Sequence, residues 1–298
     1  MIKAVAPATG SVQIRADVLH IGYPKAASTF VIKFLEKHPE ATVDQFQLSS
    51  LLQSNECTPT VIEKPCPAKI HISKDENVAE SICVIGEWKN WQRYLYIPGS
   101  WDQVKRDVVV DPGEAASRLH KVHPDAKVFL VIREQVDWLQ SAYKFVMSQL
   151  PPTKRSFADY CTTPSGIVFL KGGHFDQTIS AYVDVFGSRR VRALRFEDIV
   201  GAPKKFAGEL CDFLEISERP IPPKRENESH AQIARIQRFF PFIEQLPKGV
   251  KMALKPYAER LIPGSRRTIF SAHDIRMLRS FYTVSNQRTE KLISQLSK

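Results

Sequence analysis

Two stretches of this chain follow one plan: a short apolar run, a turn, then apolar residues at helical spacing. In the first, "DVLHIG" (17–22) leads through "YPKAAS" to Val31, Phe34 and Leu35, and His38-Pro39 marks the stop. In the second, "AKVFLVIRE" (126–134) carries an unbroken apolar run at 128–132, of strand length. Val136, Leu139, Tyr143, Val146, Met147 and Leu150 follow it at helical spacing, up to Pro151-Pro152. Continuous apolar strands are buried on both faces, which happens in parallel sheets covered by helices on each side. A chain carrying two such units is expected to be α/β, with a central, mainly parallel sheet flanked by helices.

The rest of the chain extends that pattern. Weaker strands are read at "AKIHIS" (68–73) and "SICVIG" (81–86), and a helix from Pro112 to about His123. Later, "HFDQTISAYVDVFG" ends at Gly187 as a helix should, "RVRALRF" is a strand, and "APKKFAGELCDFLEI" opens a helix with Pro near its first turn. After Ile216, "SERPIPPKRENESH" is a polar, proline-rich loop or strap, and a helical tail runs to the end. At 298 residues the chain is within reach of one α/β unit, so residues 1–298 are read as a single domain. Its core spans about 17–230 and its helical C-terminal part about 230–298.

With 43% hydrophobic and 25% charged residues the chain can bury a core and does not read as disordered. Its net charge of +10 favours an anionic partner: a nucleotide, a nucleic acid or an acidic surface. The basic residues are spread out, with small groups at Arg189, Arg190, Arg192 and Arg195 and at Lys224 and Arg225, so a nucleic-acid track is not expected. Five scattered cysteines without a CxxC pair indicate neither a disulfide framework nor a zinc site. No stretch approaches the ~18 apolar residues of a membrane span, and "MIKAVAPATGSVQIRADVLHIG" lacks an apolar leader core. A cytoplasmic protein without a membrane partner is the expectation, and a monomer and a homodimer both fit.

The turn in "HIGYPKAASTF" (20–30) feeds a helix N-terminus, where backbone N–H groups and the positive dipole end suit a phosphate oxygen. Lys25, Ala26, Ala27, Ser28 and Thr29 are the candidate donors, with Phe30 next in line; Lys25 adds a point charge, and the two hydroxyls can bind phosphate or cap the helix. An ordinary capped strand–helix turn is the competing reading. The nucleoside-triphosphatase pattern GxxxxGK[ST] places Gly and Lys directly before the Ser/Thr, whereas here Ala-Ala precedes Ser28. The second strand also ends in Arg133, where such an enzyme would hold a metal with Asp. A metal-dependent kinase is therefore disfavoured. It remains the alternative, beside a non-catalytic nucleotide- or nucleic-acid-binding protein.

"GYPKAASTF" resembles the 5′-phosphosulfate loop of the sulfotransferases, written PKxGTTxL, with Ala27 in place of the usual Gly and Ser28 in place of the first Thr. "VIREQVDWLQSAY" resembles the family's 3′-phosphate segment, with Arg133 at a strand end, Ser141 eight residues on and Tyr143 ten residues on. Arginine there can bind a phosphate with two parallel hydrogen bonds. "HPEATVD", "HPDAKVFLVIRE" and "RALRFEDIVGAPKKFAGELCDFLEI" extend the likeness to about residues 17–230. "RENES" (225–229) resembles the nucleotide-closing loop, where Arg225, Asn227 and Ser229 would reach the nucleotide.

The resemblance implies a P-loop-like turn that binds 3′-phosphoadenosine 5′-phosphosulfate (PAPS) as co-substrate and yields 3′-phosphoadenosine 5′-phosphate (PAP), with no metal and with a hydroxyl or amine of a small molecule as acceptor. Lys25 would stabilise the bridging oxygen as the nucleotide leaves. The acceptor's proton needs a base. By likeness to family positions, Asp44 in "HPEATVDQF" and Glu87 with Lys89 in "GEWKNWQRYL" are candidates; His71 at a strand end and Glu76 in "ISKDEN" are further choices. "WKNWQRYLYIPGSW" (88–101) holds three of the four tryptophans, so Trp88, Trp91 and Tyr94 together with Lys89 are candidate acceptor contacts, with core or interface packing as the alternative.

Overall fold

The structure is a computed structural model that describes residues 12–14, 16–44, 60–62, 68–74, 111–149, 157, 161, 164–220 and 270–297. Its centre is a five-stranded, all-parallel sheet of β2 (Val18–His20), β3 (Ala41–Asp44), β5 (Ile70–Lys74), β6 (Lys127–Ile132) and β7 (Val191–Arg195), in the order β3-β5-β2-β6-β7. The α/β expectation is met. Two further short strands, β1 (Val12–Ile14) and β4 (Thr60–Ile62), pair in parallel as a separate ribbon that the sequence pattern does not announce. Strand β3 is likewise unannounced, because "ATVD" is short and only Ala41 in it is buried. The stretch 81–86 lies outside the described residues.

Helices join the strands: α1 (Ser28–Glu36) after β2, α2 (Pro112–Val122) before β6 and α3 (Gln135–Gln149) after it. Then come α4 (Pro164–Gly172), α5 (Phe175–Phe186), α6 (Phe196–Gly201), α7 (Pro203–Leu214) and the long α8 (Ala272–Leu296). Local chemistry sets their ends. Asp111 caps α2 by accepting from the Gly113 N–H at 2.8 Å, with Pro112 in the first turn. Ser271 and Asp274 form a reciprocal capping box on α8. α5 stops at Gly187, whose φ of 84° is closed to most L residues.

Parallel register puts successive residues on opposite faces of the sheet. Arg192 lies over the Phe213 ring at 5.4 Å, so α7 covers one face of β7. Arg195, three residues on, is ion-paired with Glu290, so α8 covers the other. The Arg189–Arg195 group is thus partly consumed by the fold: Arg190 also donates to the Pro124 carbonyl at 2.6 Å.

The chain starts at the sheet's middle with β2, moves out to β3 and β5 on one side, then crosses to β6 and β7 on the other. The crevice at the carboxyl ends of β2 and β6 is therefore the switch point, where open α/β sheets bind ligands. The Lys25 turn leaves β2 and Arg133 leaves β6, so both candidate anion segments meet there.

Candidate active site

Beyond the end of β2, the ladder with β6 continues through Ile21 N–H to Phe129 O (3.2 Å), Tyr23 N–H to Val131 O (3.0 Å) and Val131 N–H to Gly22 O (2.8 Å). The candidate phosphate turn thus emerges fastened to the strand that ends in Arg133. Tyr23 is wholly buried, its ring edge-on to Phe175 at 4.6 Å and to Trp138 at 5.7 Å. The Tyr23 hydroxyl donates to Thr178 Oγ1 at 2.8 Å, and Trp138 Nε1 donates to the Pro24 carbonyl at 2.9 Å.

Within the turn, Ala26 N–H goes to the Tyr23 carbonyl at 3.2 Å, Phe30 N–H to the Ala27 carbonyl at 2.9 Å, and the buried Ser28 hydroxyl to the Tyr23 carbonyl at 2.7 Å. These three groups brace the turn itself: the Ala26 and Phe30 N–H groups and the Ser28 hydroxyl are engaged within it. Ala27, Ser28 and Thr29 open α1, and first-turn N–H groups have no intrahelical carbonyl ahead of them. Ala27 caps the helix at φ 66°, and Lys25 has φ 65°. Left-handed geometry costs an L residue about 1–2 kcal/mol, and such strain gathers where ligands are held.

The second corner is built on Arg133. Its guanidinium carbon lies 4.7 Å from the Phe196 ring centroid, on the first residue of α6. Its Nη2 is 3.9 Å from the exposed carboxylate of Asp137, and its buried Nε has no partner among the described residues. Glu134, next in the chain, accepts from the Asp137 N–H at 2.8 Å, while its own N–H donates to Glu197 at 2.9 Å, so α3 starts at a fixed angle. Ser141 is half-buried two turns into α3. Tyr143 is 5% exposed and packs edge-on to Phe157 at 5.2 Å, with Phe270 at 5.9 Å. Two residues apart on a helix is about 200°, so Tyr143 and Ser141 leave α3 on different sides, and the Tyr143 ring packs in the core.

Asp44 and His71, read from sequence as rival bases, are one unit. His71 Nε2 and Asp44 Oδ2 are 2.8 Å apart, across the β3–β5 pairing in which Thr42 opposes His71 and Asp44 opposes Ser73. The His71 side chain is buried, whereas that of Asp44 is 44% exposed. Glu76, Glu87, Trp88, Lys89, Trp91, Tyr94, Arg225, Asn227 and Ser229 lie outside the described residues.

Sequence reasoning passed over His20, Tyr23, Trp138, Thr178 and Phe196. His20 is fully buried at the end of β2, stacked on Phe129 at 4.4 Å, with Nδ1 3.3 Å from the Phe129 carbonyl. Burial, with Lys74 nearby, pushes its pKa down to about 4. Only position hinted at Tyr23 and Trp138, one inside the turn and the other five residues past Arg133.

No helix among the described residues is long and apolar enough to cross a membrane. No curated protein matches the chain by sequence. Among solved structures, the chain is similar to a sulfotransferase from Alicyclobacillus acidocaldarius, at 17% identity, TM-score 0.49, over 80% of this chain and 96% of that one. It is also similar to the sulfotransferase domain from the curacin biosynthetic pathway (12%, TM-score 0.46, 91% of this chain and 98% of that one). A third likeness is to the mouse sulfotransferase SULT7A1 complexed with PAP (13%, TM-score 0.46, 96% of this chain and 89% of that one). In sequence, residues 17–220 match the model described as the sulfotransferase family, a span that holds both corners of the crevice. That match covers more than half of the chain, which therefore belongs to the sulfotransferase family, whose activity is sulfotransfer.

Proposed function

We propose that the protein transfers the sulfuryl group of PAPS to a hydroxyl or amine of a small-molecule acceptor, releasing PAP. The observation that carries this reading is the pairing of two distinct anion corners at neighbouring strand ends: the strained Lys25 turn after β2 and the underpaired Arg133 after β6. A donor with phosphates at two separate positions calls for two such corners. The residues fit it chemically: first-turn N–H groups at Ala27, Ser28 and Thr29 with Lys25 suit the 5′ end, and Arg133 with Ser141 suits the 3′-phosphate. Arg225, Asn227 and Ser229 would close over the nucleotide.

In this reading the S–O bond to the 5′-phosphate breaks as the bond from sulfur to the acceptor forms, and the leaving oxygen gains negative charge. Lys25 supplies positive charge there. The acceptor proton goes to the Asp44 carboxylate, the accessible member of the pair, which His71 Nε2 orients from its buried side. Asp44 ends β3, two strand spacings or roughly 10 Å from β2, which leaves room for the transferring group and an acceptor atom between them. Glu87 is the other carboxylate in this role, with Trp88, Lys89, Trp91 and Tyr94 as acceptor contacts. The scattered cysteines keep a cytoplasmic setting within the proposal.

The test is calorimetric titration of the full chain, without metal, with PAP and then with the same nucleotide lacking its 3′-phosphate. Tight binding of PAP with at least tenfold weaker binding of the second supports the reading. Equal binding of the two overturns the 3′-phosphate assignment at Arg133.

A further inference from the structure

We infer that the C-terminal helix α8, which lies beyond the family match at residues 17–220, holds the phosphate turn in its working shape through the first turn of α5. The turn's role as a donor site rests on the function proposed above; the mechanical link does not. Three of the first four residues of α5 divide the labour. Phe175 packs its ring on Tyr23 and on Trp138, and Thr178 accepts the Tyr23 hydroxyl at 2.8 Å. Between them, Asp176 faces α8: its Oδ1 accepts from the Ser285 hydroxyl, and its Oδ2 is 3.9 Å from Arg288 Nη1. Asp176 and Thr178 are two residues apart and so point to opposite sides of the helix, one to α8 and one to the turn.

All three hydrogen-bonding side chains are buried: Asp176 is 5% exposed, Thr178 4% and Ser285 3%. Water cannot replace a lost partner there, and a buried carboxylate short of a donor is costly, so the Ser285 bond fixes where Asp176 and its helical turn sit. The same segment is gripped just upstream. Tyr282 Oη donates to the Leu170 carbonyl at 2.7 Å, and a Cβ on Gly173 would meet that phenol oxygen at 2.5 Å, so only glycine lets α8 approach so closely. Residues 170–178 are therefore clamped by α8 on one side and clamp Tyr23 on the other. Lys25 and Ala27, at φ 65° and 66°, keep left-handed backbone only while their surroundings dictate it. Thr178, Asp176 and Ser285 are positioning residues: they act on the anion site through Tyr23.

The experiment compares hydrogen exchange of the full chain in Ser285→Ala, Thr178→Val and Thr178→Ser, following a peptide covering 21–30 and a control covering 128–132 in β6, with PAP affinity measured alongside. Ser285→Ala and Thr178→Val are expected to speed exchange across 21–30 by about tenfold while the β6 peptide stays protected, and to weaken PAP binding by a similar factor. Thr178→Ser, which keeps the acceptor, is expected to behave as the parent protein does. Unchanged exchange at 21–30 in Ser285→Ala overturns the inference, as does equal acceleration in both peptides, the mark of a general loss of stability. A parent protein that ignores PAP while the exchange coupling persists removes the donor reading and leaves the link from α8 to the turn standing.

Discussion

At the end of β2 the candidate phosphate turn is held by backbone ladder bonds, three interlocked buried rings and a buried hydroxyl pair, whereas at the end of β6 Arg133 is held, among the described residues, by one ring face and one exposed carboxylate. The first corner presents backbone donors, which cannot rotate to find a ligand and must be placed in advance. The second presents a long side chain whose fork could adjust to a phosphate in the proposed role. The contrast implies that changes around the turn cost stability and function together, while changes at Arg133 cost function alone.

The largest effect tests the first half of that statement. Trp138 is fully buried and donates to Pro24 within the turn, so Trp138→Ala should destabilise the protein by about 3–5 kcal/mol in urea melts. A loss below about 1 kcal/mol would break the claim that the turn is a packed element. Acid offers a related probe at His20, directly beneath the turn. Because its pKa is pushed down to about 4 in the folded chain, the unfolded chain binds the extra proton first as pH falls below about 6.5. Stability is then full above pH 6.5 and falls by about 3 kcal/mol by the time pH drops below 4. His20→Gln should flatten that slope; an unchanged slope would assign acid sensitivity elsewhere.

Next in size is Lys25→Ala, which should cut sulfuryl-transfer turnover by about 100-fold or more while changing PAP affinity by only a few-fold. Equal losses in both would make Lys25 a binding residue and bring the two corners closer in kind. Arg133→Ala should weaken PAP binding by roughly 10- to 100-fold, because charge-assisted bonds to a phosphate contribute about 1.5–3 kcal/mol. Its melting curve should shift by no more than about 0.5 kcal/mol. A large stability loss at Arg133 would erase the distinction between the corners.

What could be read in advance follows the same division. The strand–turn–helix units around 17–36 and 126–149 were legible because continuous apolar runs and helical spacing are local signals. Lys25 and Arg133 were legible because their place in the turn and at the strand end is written in sequence order. The pairing of Asp44 with His71 was not, since it depends on which strands become neighbours; β3 and β5 lie side by side through parallel pairing that no local pattern reports. The supports of the turn were hidden for the same reason: Thr178 is 155 residues from Tyr23, and a buried Thr inside "HFDQTIS" carries no mark of its partner. The packing of Tyr143 against Phe157 and Phe270 was hidden too, because only the fold brings those rings to it.

The smallest effect is the sharpest probe of strain in the turn. Ala27 caps α1 at φ 66° and ψ 20°, where its Cβ costs about 1–2 kcal/mol. Ala27→Gly removes that cost but frees the unfolded chain, which offsets about 0.4–1 kcal/mol of the gain. The balance is a net stabilisation of about 0.5 kcal/mol, visible as a small rise in Tm. Glycine also lets a phosphate oxygen come closer to the backbone, so PAP affinity should stay level or tighten by a few-fold. A destabilised Ala27→Gly protein would mean that the alanine methyl, half-buried at the head of α1, contributes more by packing than it costs in backbone strain. The turn's rigidity would then come from its side chains alone, as it does at Arg133, and the difference between the corners would be one of degree.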